Sequence, residues 1–274
     1  MANNQSTDRN QDQQTVFRDN VVLLTGASMG IGEQIAYRLA DLGARLMLAA
    51  RSADRLAVVA AECQRRGATA AWLPTDLMDE AQCAQLVQHT IDHYGRIDTL
   101  LYNAGKGYPR FFDTLPDLTT IRSEITLNYL GLVYCVYSAL PHLKKTRGRL
   151  VAVSSFGSFV GIPGTAGYNA SKHALRGFLN TLRAELIGSG VTVTIVFPGA
   201  VSTARLRETM GKNITAVPTM TPERCAAITV AAAARRRRQM VMTVPGKVLV
   251  SLYQWVPGLL DAQLRRIGGL YKEW

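Results

Sequence analysis

The chain has 274 residues, of which 47% are hydrophobic and 19% charged, a balance that fits one globular, enzyme-sized domain. No run of eighteen apolar residues offers a membrane span. The four cysteines (Cys63, Cys83, Cys135, Cys225) lie far apart with no Cys-x-x-Cys pair, which argues against a disulfide framework or zinc knuckle and for reduced thiols in a cytoplasmic setting. The net charge of +11 is uneven: after Ala204 there are twelve Lys or Arg against four Asp or Glu, so an anionic partner is expected to meet that end.

In chain order, the first seventeen residues are rich in Asn, Gln and Asp and lack the apolar core of a signal peptide. A disordered leader is expected over 1–18. Strands are read at Val21–Thr25, Arg45–Ala50, Thr69–Leu73, Thr99–Tyr102, Arg149–Ser154, Val191–Phe197 and Met240–Val244. Their near-continuous apolar character means burial on both faces. Helices are read between them at Ile31–Leu42, Ser52–Arg66, Asp79–Tyr94, Leu118–Lys145, Asn169–Ile187 and Thr221–Arg237, with a last helical region from near Lys247. Strands alternating with helices predict an α/β fold: a single-domain, Rossmann-type doubly wound parallel sheet of about seven strands, with helices on both faces, over 19–245. A C-terminal amphipathic helical extension follows over 246–274.

The first strand runs into Thr25-Gly26-Ala27-Ser28-Met29-Gly30-Ile31-Gly32, and the stripe Ile35, Leu39, Leu42 follows. Missing side chains there let backbone amides approach a pyrophosphate at a helix N-terminus, so a dinucleotide is expected. The second strand ends in Ala50-Arg51-Ser52 without a carboxylate for a ribose 2′-hydroxyl. Arg51 presents a planar fork and Ser52 a hydroxyl to a 2′-phosphate, which favours NADP(H) over NAD(H). Asp76, after the third strand, either accepts from the adenine amine or caps the next helix.

Tyr168 and Lys172 lie four residues apart in Tyr168-Asn169-Ala170-Ser171-Lys172, thirteen residues after Ser155. That spacing puts a phenol beside an ammonium on one helix face. A phenol with an ordinary pKa near 10 is a poor catalyst at neutral pH, and a nearby cation favours its ionised form. Tyr168 would then protonate a carbonyl oxygen as hydride arrives, while Ser155 donates a hydrogen bond to the same oxygen. Ser154 competes with Ser155 for that place. In isolation a buried tyrosine is ordinary packing, so the weight rests on the ensemble. His89 and His93 fall at i, i+4, but with no third ligand in view they read as a solvated face, and no metal is expected.

These residues, with Asn103-Ala104-Gly105 after the fourth strand, resemble the short-chain dehydrogenase/reductase family over about residues 20–245. Met47–Ser52, Ser138–Lys144 and Gly167–Phe178 are most similar to the 11-beta-type hydroxysteroid dehydrogenases. Asn128-Tyr129-Leu130-Gly131 and Gly161–Gly177 are similar to 3-ketosphinganine reductases. The resemblance implies that Gly26, Ser28, Met29, Gly30 and Ile31 surround the pyrophosphate and adjoining ribose. It places Asp76 and Leu77 at the adenine, and Asn103, Ala104 and Gly105 on the cleft floor. Pro198, Gly199, Val201 and Thr203 fall at the nicotinamide end, together with Tyr168 and Lys172. Asn128 would hold a water linking Lys172 to solvent. Many NADP-preferring relatives carry Arg or Lys where this chain has Met29, which leaves the phosphate to Arg51. The resemblance also implies a homodimer or homotetramer through the helices around Asn128–Lys145 and Asn169–Ile187.

For substrate, the loop Lys106–Leu118 and the segment Ser202–Pro218 offer Tyr108, Phe111, Phe112, Leu206, Met210, Ile214 and Val217. A greasy mouth suits a steroid-like or long-chain lipid carbonyl or alcohol. The tail after Val244 alternates Val248, Leu249, Leu252, Tyr253, Trp255, Val256, Leu259, Leu260, Leu264 and Ile267 with Arg265, Arg266 and Lys272. Peripheral contact with an anionic membrane and packing over the substrate mouth or a subunit boundary are both open to it. Arg235–Arg238 lack the interleaved aromatics of a nucleic-acid site. The alternatives to an enzyme are a non-catalytic NADP-binding protein and a basic protein that associates with membrane or nucleic acid, and the intact Ser155, Tyr168 and Lys172 argue against both.

Overall fold

A computed structural model describes residues 13–210, 218–258, 260, 261, 264 and 265. The first strand, β1 (Val21–Thr25), is buried along its whole length, and its side chains separate by simple alternation. Val21 and Leu23 join one core with Met47, Leu100 and Phe197, whereas Val22 and Leu24 join a second with Ile35, Leu39 and Leu48. Both faces of the sheet are therefore apolar and both are covered.

Six more strands, β2 (Arg45–Ala50), β3 (Thr69–Pro74), β4 (Thr99–Tyr102), β5 (Arg149–Val153), β6 (Thr192–Phe197) and β7 (Gln239–Val241), pair in parallel in the order β3-β2-β1-β4-β5-β6-β7. Helices α1 (Gly30–Asp41) and α2 (Ala53–Arg65) cover one face. The other face carries α3 (Glu80–Tyr94), which starts on an Asp79 side-chain cap and ends at left-handed Gly95. The expected seven-stranded, doubly wound single domain is what the chain forms. Strand order reverses between β1 and β4, which opens a crevice at their carboxyl ends. Thr25 stands opposite both Ala49 and Tyr102, so the Gly26–Gly32 loop, Arg51 and Asn103 all emerge at that crevice.

The helix expected over Leu118–Lys145 is interrupted. It runs as α4 (Thr119–Ile125), then a π-helical turn Thr126–Leu130, then α5 (Gly131–Thr146). The cause is the hydroxyl of fully buried Tyr102, which donates to the Leu127 carbonyl at 2.5 Å. The Gly131 N–H, deprived of that acceptor, reaches back to the Thr126 carbonyl. Gly131 also needs to be glycine, since a Cβ there would meet the Tyr102 hydroxyl at 2.6 Å and collide with the Leu77 carbonyl.

Further differences are local. Helix α6 (Ala166–Glu185) starts three residues before the predicted Asn169 and so includes Tyr168. A short helix α7 (Ala204–Met210), not read from the sequence, follows β6. Helix α8 (Pro222–Ala234), capped by Thr221, packs on the α1 face and ends before the arginine run. Strand β7 stops at Val241 and α9 (Val244–Tyr253) begins on a Thr243 cap, so the expected boundary at 245/246 falls inside a helix. In the expected leader, residues 13–17 are helical and bury Phe17, because that ring is apolar enough to find the second core. Residues 1–12 lie outside the described residues.

Candidate active site

Tight backbone approach builds the nucleotide side of the crevice. Gly26 has φ +65°, and a Cβ on it would stand 2.8 Å from the Ala104 Cα. Gly30 has φ +61° and faces Thr203 Cγ2, which a Cβ would meet at 3.2 Å. Thr25 Oγ1 accepts from the Asn103 and Ala104 N–H groups, and Asn103 Nδ2 donates to the Gly26 carbonyl, so the floor strand and the loop are stitched together. Ser28 and Ile31 are half-buried on this loop. The space a side chain would fill and the helix N-terminus at Gly30 both fit a dinucleotide pyrophosphate.

At the end of β2, Arg51 is exposed and Ser52 half-buried. Arg55, on the first turn of α2, donates from Nη1 to Met29 Sδ at 3.4 Å. A second guanidinium therefore stands beside the position where the sequence offered only Met29. Its i+4 spacing from Arg51 was the signal that could have found it. Asp76 Oδ1 accepts from the Met78 N–H, and the helix cap is Asp79 instead, so of the two roles weighed for Asp76 the capping one belongs elsewhere. Leu77 is buried, its carbonyl against Gly131.

The residues expected from the sequence to handle the proton gather on the other wall. Ser155 lies beyond β5 in extended backbone and caps the 3-10 turn Phe156–Ser158, its Oγ accepting from the Gly157 N–H at 3.2 Å. Its own hydrogen thus remains to be donated. Ser154 is buried and hydrogen-bonded to Ser158 at 2.6 Å. The half-buried Tyr168 ring lies between Gly107 and Gly157: Cβ atoms there would stand 3.0 Å from Cδ2 and 3.5 Å from Cε1 respectively. Lys172 is 3% exposed, its Nζ 5.7 Å from the Tyr168 ring centroid and 3.2 Å from the Val153 carbonyl to which it donates. Burial pulls its pKa down to about 8.

Asn128, in the π turn, grips the loop after β4. Its Oδ1 accepts from the Lys106 N–H and its Nδ2 donates to the Lys106 carbonyl, both at 2.8 Å, while Nδ2 also donates to Ser171 Oγ. Both amide hydrogens are used. Oδ1 and Lys172 Nζ flank the same glycine, Gly105, at 3.2 and 3.3 Å from the Cβ it lacks.

At the end expected to face the nicotinamide, the Pro198 carbonyl accepts from the Phe156 N–H, and Gly199 lies under the Phe156 ring. Val201 is buried and bridges to Met220; Thr203 Oγ1 accepts from the Leu206 N–H and so starts α7. Around the mouth, Tyr108 is 48% and Phe112 65% exposed, with Phe111 and Leu206 half-buried. The Met210 side chain, Ile214 and Val217 lie outside the described residues, as do Leu259, Arg266, Ile267 and Lys272. Gly246, at the start of α9, is pressed on Phe156, and Tyr253 Oη accepts from the Gly161 N–H while donating to Asp261. The extension thus leans on the serine segment. His89 and His93 stack at 6.3 Å on the exposed side of α3.

Comparison with known proteins is consistent with this geometry. The family profile described as short chain dehydrogenase matches residues 20–213. The chain is 43% identical over 182 residues to "11-beta-hydroxysteroid dehydrogenase-like 4A" of Arabidopsis thaliana, a match covering 66% of this chain and 60% of that protein. Among solved structures, levodione reductase superposes with a TM-score of 0.77 at 26% identity, covering 82% of this chain and 96% of that one. An alcohol dehydrogenase from Thermococcus sibiricus, complexed with 5-hydroxy-NADP, gives 0.70 at 27% identity, covering 81% and 94%.

Proposed function

Because the chain belongs to the short chain dehydrogenase family, we propose that it is an NADP(H)-dependent oxidoreductase. It interconverts a ketone and a secondary alcohol on a hydrophobic, steroid-like or long-chain substrate. The observation that carries the reading is the buried Lys172 ammonium beside the Tyr168 ring, on the wall that Ser155 shares and across from the glycine cradle.

The dinucleotide, when bound, supplies or receives the hydride. Gly26, Ser28, Met29, Gly30 and Ile31 hold its pyrophosphate side, and Arg51, Ser52 and Arg55 meet a 2′-phosphate. Asp76, Leu77 and Asn103–Gly105 line the adenine and floor, while Pro198, Gly199, Val201 and Thr203 face the nicotinamide. Tyr168 gives its phenolic proton to the carbonyl oxygen in reduction and takes the hydroxyl proton in oxidation. Lys172 favours the phenolate through its charge, and the Ser155 hydroxyl donates to the oxygen on which negative charge develops. Asn128 fixes the Lys106 backbone and, through the free lone pair of Oδ1, holds a water toward Lys172.

Purified protein with NADPH is expected to reduce members of a panel of steroid, long-chain keto and aromatic carbonyl compounds. Tyr168→Phe should lose at least about a hundredfold in turnover, as removal of a general acid does, with NADPH binding nearly unchanged. Unchanged turnover in that variant removes Tyr168 as the acid. No reduction of any compound by the parent protein removes the catalytic reading.

We also read the outer face of α9 and the turn after it as a contact for anionic membrane: Val244, Val248 and Leu252 repeat every four residues on the helix, Val256 and Trp255 follow it, all are exposed, and Lys247 on the same helix is exposed and basic. Homo-oligomerisation through α5 and α6 is part of the same proposal, with Tyr137 81% exposed on α5.

A further inference from the structure

Two cations at the mouth of the crevice press on one ring. Lys106 Nζ is 5.4 Å and Arg205 Cζ 5.2 Å from the centroid of Tyr108. Among the described residues, no carboxylate pairs with either cation and no acceptor takes a hydrogen bond from either side chain. Their place is set firmly. Lys106 is held through its backbone by Asn128, Gly107 packs on the Tyr168 ring, and the Tyr108 N–H donates to Glu124 Oε1 at 2.7 Å. Arg205 stands two residues beyond Thr203, on the first turn of α7. The mouth is thus charged as well as greasy.

Glu124 is a buried acid that feels the field of both cations. It is 2% exposed, and burial holds its pKa above the ordinary value although Lys106 and Arg205 oppose that rise. Glu208, on the same helix as Arg205, and Asp113, on the loop after Lys106, are exposed and form no ion pair with either cation among the described residues. Stacking on Tyr108 lessens the cost of holding the two like charges together but does not neutralise either.

We propose that Lys106 and Arg205 form a recognition site for an anionic group carried by the substrate, so that the preferred substrate is an amphipathic carbonyl or alcohol compound with a carboxylate or similar acid at one end. This rests on the proposed oxidoreductase reading and specifies its substrate class. The apolar body meets Phe111 and Leu206, and the acid bridges the two cations over Tyr108, where charge-assisted hydrogen bonds form at a partly desolvated edge.

The test uses cofactor-loaded full-length protein and two matched pairs. Laurate and methyl laurate, which cannot be reduced at a ketone, are compared by titration calorimetry; a long-chain keto acid and its methyl ester are compared by kcat/KM. The acid is expected to exceed the ester by about tenfold or more in both measurements, the scale of one charge-assisted contact. The advantage should shrink as salt rises and fall to near one in the Lys106→Gln/Arg205→Gln double variant. Equal binding of laurate and its ester by the parent protein overturns the proposal, as does a preference that survives in the double variant. So does a double variant that loses cofactor affinity instead, since the cations would then serve the cofactor's phosphates. Should the double variant not fold, the parent protein's acid-to-ester ratio and its salt dependence still decide. Failure to turn over either keto compound while laurate is preferred would count against the oxidoreductase reading and leave the anion site at Lys106 and Arg205 standing.

Discussion

Lys172 illustrates how one side chain is held against its own solvation. Its pKa falls from 10.5 to about 8 because it is buried with a single backbone acceptor. Below pH 8 the folded protein therefore carries a desolvated charge at full cost. Between pH 8 and 10.5 the unfolded chain binds the extra proton, so stability rises with pH across that window. The drop corresponds to about 3 kcal/mol, and losing the bond to Val153 costs about 1 kcal/mol. Lys172→Met is thus expected to raise unfolding stability at pH 7 by about 2 kcal/mol while abolishing turnover, as read by thermal or urea unfolding; a destabilised variant would contradict this account of the burial. At the opposite end of the crevice, the proposed reading has Arg51 and Arg55 meet a 2′-phosphate. Substituting either by Ala should weaken NADPH at least about tenfold, the scale of a charge-assisted contact, and leave NADH nearly unchanged. Equal losses for both dinucleotides would mean that neither arginine reads the phosphate.

Among the elements, the π turn between α4 and α5 has an identifiable cause in a single hydroxyl. Tyr102 takes the Leu127 carbonyl, the Gly131 amide shifts its acceptor by one residue, and the turn so formed carries Asn128 against Lys106. Tyr102→Phe should leave a buried carbonyl without its donor, at about 1–2 kcal/mol, and should lower turnover as the turn relaxes toward α-helical spacing. Tyr94→Phe is the control. Its hydroxyl donates to the Leu46 carbonyl far from the crevice, so it should lose similar stability without a matching loss of turnover. If the two variants behave alike in turnover, the π turn has no part in positioning Asn128. The arginines after α8 have a structural use as well: Arg236 donates to the Gly190 and Arg147 carbonyls, and the Arg238 carbonyl accepts from Arg183. That gives the Arg236 guanidinium a use without a nucleic-acid partner.

For the molecule as a whole, no helix among the described residues is long and apolar enough to cross a membrane. Intact protein is expected to float with anionic liposomes and not with zwitterionic ones, and Val248→Glu/Leu252→Glu should abolish flotation; parent protein that never floats would end the membrane reading of α9. The sheet and most of its helices were legible beforehand because burial on both faces writes itself into continuous apolar strands, and a 3.6-residue stripe such as Ile35, Leu39, Leu42 needs no partner to be seen. The adjacency of Tyr168 and Lys172 was legible through spacing, since a helical repeat of four converts position in the chain into adjacency in space. The π turn, the tie between Gly246 and Phe156, and the two cations on Tyr108 were not. Each joins residues whose separation in the chain carries no periodic signal, and their meeting is decided only when the strands stack and their carboxyl ends converge on one crevice.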